Sequence, residues 1–375
     1  MVHFRLTERQ AVWTAWVIWA IFLTIICIIV TLPSNDRTVT PTYRNASLQW
    51  FADQAIYTEG IHGFLYLPSA AVLYLPFAWP PFRVGELLWR IVTIGSLAGG
   101  VWRLSRLVGR EMGVQIFPLI TLLSIPPAMD GARNGQMNLL LVALMIHAVV
   151  ELSDRRWWWA TLWLSLGLAL KPLMIVLILL AAAIYRPMIW RTLIGIAAVL
   201  LLPFVAQHPA YVLQQYQLCV RKLDTSSKPG FIARFNDLFG LIQSLGIDPP
   251  HAVQVVVRAL AAGLTVALAW LGVRTWGQVR GAVLVLALAS CYLMLFNPRT
   301  ELNSYAILGP SVAVFAAWAF LVDRCTAVGW MLVAIAIGIS ASYAIAGRNY
   351  WLSPSLGLIF AGYLAYFVLA GVRQS

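Results

Sequence analysis

From Val12 to Leu32 the chain runs for 21 residues without a charge. A helix rises about 1.5 Å per residue, so this stretch spans the roughly 30 Å apolar core of a bilayer. Comparable apolar runs recur to the C-terminus. Composition agrees: 61% of the 375 residues are apolar and 11% are charged. Soluble domains average about 45–50% and 25%. A water-facing surface cannot be built from so few charges. A cytosolic enzyme, a disulfide scaffold, a coiled coil and a disordered chain are excluded. The fold class expected is an all-α polytopic membrane protein, read as a single domain over residues 1–375 with about twelve transmembrane helices (10–13).

Net charge is +12, from 26 Lys and Arg against 14 Asp and Glu. The cations gather in short loops at Arg103–Arg110, Arg155–Arg156, Arg274–Arg280, Arg324 and Arg373. That is positive-inside bias with attraction to anionic headgroups, not a nucleic-acid stripe. Both termini are then expected inside. Two long polar loops, 33–63 and 207–250, face out. The run from Val12 is too long for a signal peptide and lacks a small-x-small cleavage site. Residues 49–57 and 235–245 read as short helices lying in the interface. Phe64–Trp79, with Pro68 and Pro76, reads as a re-entrant or interfacial segment. In 157–185, two runs of about 14 residues meet at Lys171-Pro172. They are either one kinked helix or a hairpin, and the hairpin holds if Arg186 and Arg191 are inside.

Ionisable groups near membrane helices are costly, so those unexplained by the inside bias are candidates for function. Four clusters remain: Asp36-Arg37 with Tyr43 and Asp53 downstream; Arg133, Asn134, Gln136 and Asn138 in the outer turn beginning at Asp130; Lys171; and Arg299 with Glu301. The expected topology brings the first, second and fourth to the outer face, and Lys171 approaches them from the bilayer. A carboxylate with cations and amides in a lipid-accessible cleft suits transfer chemistry on a lipid phosphate. Asp36 is the first candidate for a base and Asp53 the second. Arg37 favours the ionised form of Asp36. Neither the four cysteines nor the five scattered histidines have metal-ligand spacing, and no acidic pair suggests a metal. No metal or cofactor is expected.

The run GQMNLLLVALMIHAVVELSDRRWWWATLWLSLGLALKP resembles the central signature of glycosyltransferase family 87, in which a Gly-Gln-x-Asn turn opens a span and a later Gly-containing span ends in Lys-Pro. The first loop is similar too: an Asp after helix one, then tyrosines, here Asp36, Tyr43, Tyr57 and Tyr66-Leu67-Pro68. The resemblance covers roughly residues 30–310. It implies a GT-C bundle in the plasma membrane with an extracytoplasmic active site. It implies transfer of a hexose, mannose first, from a polyprenyl-phosphate sugar to a glycolipid or glycan acceptor. It also implies that the Asp of the first outer loop is the base. The competing readings are a transporter or lipid flippase, and a structural subunit. A transporter calls for repeat symmetry and paired broken helices. This sequence has one charged break, Lys171-Pro172, and gathers its polar groups on one side.

Overall fold

A computed structural model describes residues 7–32, 37–60, 62–227, 235–347 and 350–374. Asp36 lies outside the described residues. Every regular element among those described is a helix. Helix α1 (Glu8–Thr31) opens with a capping box: the Thr7 hydroxyl accepts from the Gln10 amide while the Gln10 side chain accepts from that of Thr7. It buries one stripe, Ala11, Ala15, Trp19, Phe22, Ile26 and Val30, and leaves Trp13, Val17, Ile21, Ile25 and Ile28 exposed. A helix apolar on its exposed face as well belongs in lipid.

The polar loop 33–63 holds α2 (Thr40–Phe51), and the segment after it holds α3 (Pro68–Leu73) and α4 (Leu75–Ala78). The short helix expected at 49–57 thus begins nine residues earlier. Pro41 suits the first turn, where an N–H has no partner to lose. The chain leaves the helix before Asp53, which takes a left-handed φ of 56°. Within Phe64–Trp79, expected to be re-entrant or interfacial, α3 and α4 have six and four residues, each too short to span a bilayer.

Helix α5 (Phe82–Met112) is followed by α6 (Phe117–Asn134) and α7 (Asn138–Ser153). Helix α6 runs on through Asn134, so the turn expected from Asp130 shrinks to residues 135–137. Gly135 ends it at φ 68°, a left-handed C-cap. Helix α7 is buried almost all round, at the centre of the bundle.

Helices α8 (Trp157–Leu170) and α9 (Ile175–Ile184) form the hairpin. Trp157, at the start of α8, lies 5.9 Å from Tyr185 at the end of α9, which puts Lys171 at the tip. Helix α10 (Met188–Leu201) runs beside α8, with Trp158 against Trp190 at one end and Gly195 against Ser165 further along. Helix α11 (Pro203–Ala206) continues α10, and α12 (Pro209–Ser227) and α13 (Leu238–Ser244) lie in the polar loop 207–250. Residues 235–245 yield only the seven-residue α13, capped by Asp237 on the Gly240 amide at 2.7 Å.

The 46-residue α14 (His251–Phe296) doubles back at Gly277, whose φ of 73° breaks it. Gly272 then faces Leu284 and Gly281 faces Val273. Helices α15 (Gly309–Leu321), α16 (Thr326–Ser340), α17 (Ser342–Ala346) and α18 (Leu352–Gln374) close the bundle. Among the described residues, five helices are long and apolar enough to cross a membrane and five shorter ones are apolar. This is an all-helical, multi-pass architecture.

At the far end of α5 the basic clusters are tied together. Arg103 bonds Glu151, Arg110 bonds Asp154 at 2.9 Å, and Arg280 bonds Glu111 at 2.9 Å. At about 1.5 Å per residue α5 is roughly 46 Å long, so this ionic end and the opposite, polar end are separated by a bilayer's thickness.

Candidate functional site

A cavity of about 430 Å³ opens at the end of the bundle where α5 begins. Its walls come from six places distant in sequence. Val39, Thr42 and Tyr43 belong to the start of α2, and His62, Gly63, Leu65 and Tyr66 to the loop that follows. Gln136 stands in the turn after α6, Lys171 at the hairpin tip, Leu223 on α12, and Arg299 and Glu301 in the turn after α14.

A directed chain of hydrogen bonds crosses the floor. Lys171 Nζ donates to Asn138 Oδ1. Asn138 Nδ2 donates to Gln136 Oε1 at 2.7 Å and to Ser304 Oγ at 3.2 Å. Gln136 Nε2 donates to Glu301 Oε2 at 2.9 Å. The two amides are thereby fixed in orientation as a relay from the Lys171 ammonium to the Glu301 carboxylate. The Lys171 ammonium also sits 5.8 Å from the Tyr66 ring.

The motif tyrosines meet here. The Tyr43 and Tyr66 hydroxyls are 3.1 Å apart, and Tyr57 donates to the Tyr66 carbonyl at 2.7 Å. Burial pushes the Tyr66 phenol up to about 12, offset in part by the Tyr43 hydrogen bond. It therefore stays protonated at neutral pH, a hydrogen-bonding group and not a base. Burial lowers the basicity of Arg299, and the Glu301 carboxylate beside it raises it again.

Of the candidates from sequence, Tyr43, Gln136, Lys171, Arg299 and Glu301 line the cavity, with Asn138 directly beneath. Arg133 and Asn134 lie in the last turn of α6, outside the lining, and offer backbone carbonyls to Arg90 and to the Val39 amide. Arg37 is exposed. Asp53 is exposed too, 3.8 Å from His208 and outside the lining.

Sequence reasoning passed over Glu86 and Arg90, which sit inside a span behind the cavity. Both are buried, and Arg90 Nη1 is 3.4 Å from Glu86 Oε1. A Glu and an Arg four residues apart share one helix face. Two charges inside an apolar span were the available signal, and it was passed over.

The model of glycosyltransferase family 87 matches residues 64–298, more than half of the chain. The chain belongs to glycosyltransferase family 87. Two curated relatives are similar over shorter stretches. Both are polyprenol-phosphate-mannose-dependent alpha-(1-2)-phosphatidylinositol pentamannoside mannosyltransferases. The one from Mycolicibacterium smegmatis is 34% identical over 110 residues, 29% of this chain and 26% of that protein. The one from Mycobacterium tuberculosis is 34% identical over 112 residues, 29% of this chain and 25% of that protein. The matched stretch thus spans about a quarter of those relatives. Among solved structures, ArnT from Cupriavidus metallidurans bound to undecaprenyl phosphate is similar at 14% identity and a TM-score of 0.43. That likeness covers 93% of this chain and 76% of that chain.

Proposed function

We propose that this family 87 member is an integral-membrane glycosyltransferase of GT-C architecture. It transfers a hexose, mannose first among candidates, from a polyprenyl-phosphate sugar to a glycolipid or glycan acceptor. On this reading the chain crosses the plasma membrane about twelve times and the cavity faces the extracytoplasmic side. The observation that carries it is the cavity itself: Lys171 and Arg299 beside Gln136, Glu301 and a tyrosine wall, in a chain whose relatives are named for a polyprenol-phosphate-mannose donor. The reading needs no resident cofactor or metal, since the donor is a substrate.

The two cations hold the lipid phosphate and stabilise the charge that develops on it as the sugar leaves. The acceptor hydroxyl attacks the anomeric carbon. The bond from that carbon to the phosphate oxygen breaks, and polyprenyl phosphate departs with the electron pair. Asp36 takes the hydroxyl proton. Three residues after it, Val39 lines the cavity, which supports this choice over Asp53.

The test is transfer by the purified protein with a panel of polyprenyl-phosphate sugars. Asp36→Asn is expected to slow transfer at least about a hundredfold, within the range general bases contribute. Asp53→Asn is expected to cost far less. If Asp53→Asn is dead and Asp36→Asn is active, the base is Asp53. If both stay active, the base is not in this loop. If no polyprenyl-phosphate sugar is a donor, the function itself is wrong.

A further inference from the structure

Glu86 and Arg90 do not line the cavity, yet they join two of its walls. Glu86 Oε1 accepts from the Thr38 hydroxyl and from the Thr40 hydroxyl, each at 2.6 Å. Arg90 Nη2 donates to Thr38 Oγ1 at 3.2 Å and to the Arg133 carbonyl at 2.9 Å. The Val39 amide closes the gap, donating to the Asn134 carbonyl at 3.0 Å. On the same turn of α5, Trp89 Nε1 donates to the Gly135 carbonyl at 2.7 Å. Gly135 is needed there because a Cβ would sit 2.4–2.8 Å from the Arg90 guanidinium, besides its positive φ. One face of α5 therefore grips residues 38–40 on one side and residues 133–135 on the other. The first group leads into Thr42 and Tyr43, the second into Gln136 and Asn138.

A buried ion pair of this kind is poor evidence of stability. Desolvation of both charges offsets most of their attraction, and apolar replacements of like volume are often as stable. An intramembrane Glu and Arg call for another reason. What the pair does here is convert two threonine hydroxyls into fixed points. Base catalysis depends on a carboxylate within hydrogen-bond reach of the proton it takes, and a misplacement of about 1 Å can cost about a hundredfold.

We propose that Glu86 and Arg90 are positioning residues: a latch on α5 that fixes residues 38–40 against residues 133–135, and with them the point of the chain next in sequence to the base. This rests on the reading that the base is Asp36.

The experiment compares Thr38→Val/Thr40→Val, which keeps shape and removes both hydroxyls, with Thr38→Ser/Thr40→Ser, which keeps them. Asp36→Asn runs alongside. The Val pair is expected to lower kcat about 10- to 100-fold. Donor KM should move less than about threefold, because Lys171, Gln136 and Arg299 stand on other elements. Tm should fall in the Val pair, since the buried Glu86 carboxylate loses two donors, so rates are compared well below both melting temperatures. The Ser pair should recover most of the kcat. A merely structural role would lower Tm without lowering the kcat of the folded protein, or would move KM with it. Wild-type kcat in the Val pair, or a Ser pair as slow as the Val pair, overturns the latch. Asp36→Asn dead with a normal Val pair sinks the latch alone. Asp36→Asn at wild-type rate sinks the assigned base and the latch with it.

Discussion

Lys171 is half-buried, and its ammonium is held by an amide oxygen and an aromatic ring. Both are neutral partners, so the charge is available to an anionic ligand entering the cavity. A hydrogen bond to a charged group contributes about 1.5–3 kcal/mol, which is tenfold or more in affinity. Lys171→Met should therefore raise the donor KM at least about tenfold, or abolish turnover, while the purified protein keeps its Tm. Wild-type kinetics in that variant would leave Lys171 as a residue whose long stem merely carries its charge towards the headgroups. Lys171 was legible in the sequence because it stands alone in an apolar stretch. Glu86 and Arg90 carried the same kind of signal, two charges inside an apolar span, but only their burial and their bonds to Thr38, Thr40 and the Arg133 carbonyl show what they hold.

At the scale of elements, α12 was missed for a related reason. Its buried stripe, Tyr211, Val212, Gln215, Cys219 and Lys222, has helical spacing, but two of the five are polar. They are polar because they serve the loop at residues 56–62 and not an apolar core. Gln215 accepts from the Ile56 amide at 3.1 Å. Lys222 Nζ donates to the carbonyls of Thr58 and Gly60 at 2.7 Å and of His62 at 2.6 Å. The loop so gathered ends in His62 and Gly63, which line the cavity. Lys222→Met leaves the carbonyls of Thr58, Glu59, Gly60 and His62 without their donor. Hydrogen–deuterium exchange of peptides covering residues 56–63 should then speed up by about tenfold or more, with the α7 core unchanged. Donor KM should rise with it. Unchanged exchange in that peptide would show that α12 does not hold the loop.

At the scale of the molecule, the outer loops and the ionic end must lie on opposite sides of the bilayer. Exposed positions test this by cysteine accessibility, in a background with the exposed Cys325 replaced by Ser. Leu48→Cys and Leu245→Cys should react with an impermeant reagent from outside, and Arg155→Cys only after the membrane is opened. Leu48 and Leu245 are 38% and 71% exposed, so access is not limited by packing. Reaction of the first two only from the cytoplasmic side would invert the topology and move the cavity to the wrong face for an extracytoplasmic transfer.

The sequence by itself determined the solvent, the helical class and the gathering of polar groups at one end. These follow from apolar run length, charge scarcity and loop cations, all local quantities that a bilayer reads residue by residue. It also marked Tyr43, Gln136, Lys171, Arg299 and Glu301 as residues in want of a partner. Only the tertiary structure decided who the partners are. Lys171 and Asn138 are 33 residues apart, Gln136 and Glu301 are 165 apart, and the Glu86 latch reaches back 48 residues to Thr38. Such bonds depend on helix packing and on the break at Lys171-Pro172, which periodicity leaves open between a kink and a hairpin. The placement of Asp53 outside the lining was decided the same way: a helix that starts at Thr40 and ends before residue 53 turns that carboxylate towards His208 and away from the cavity.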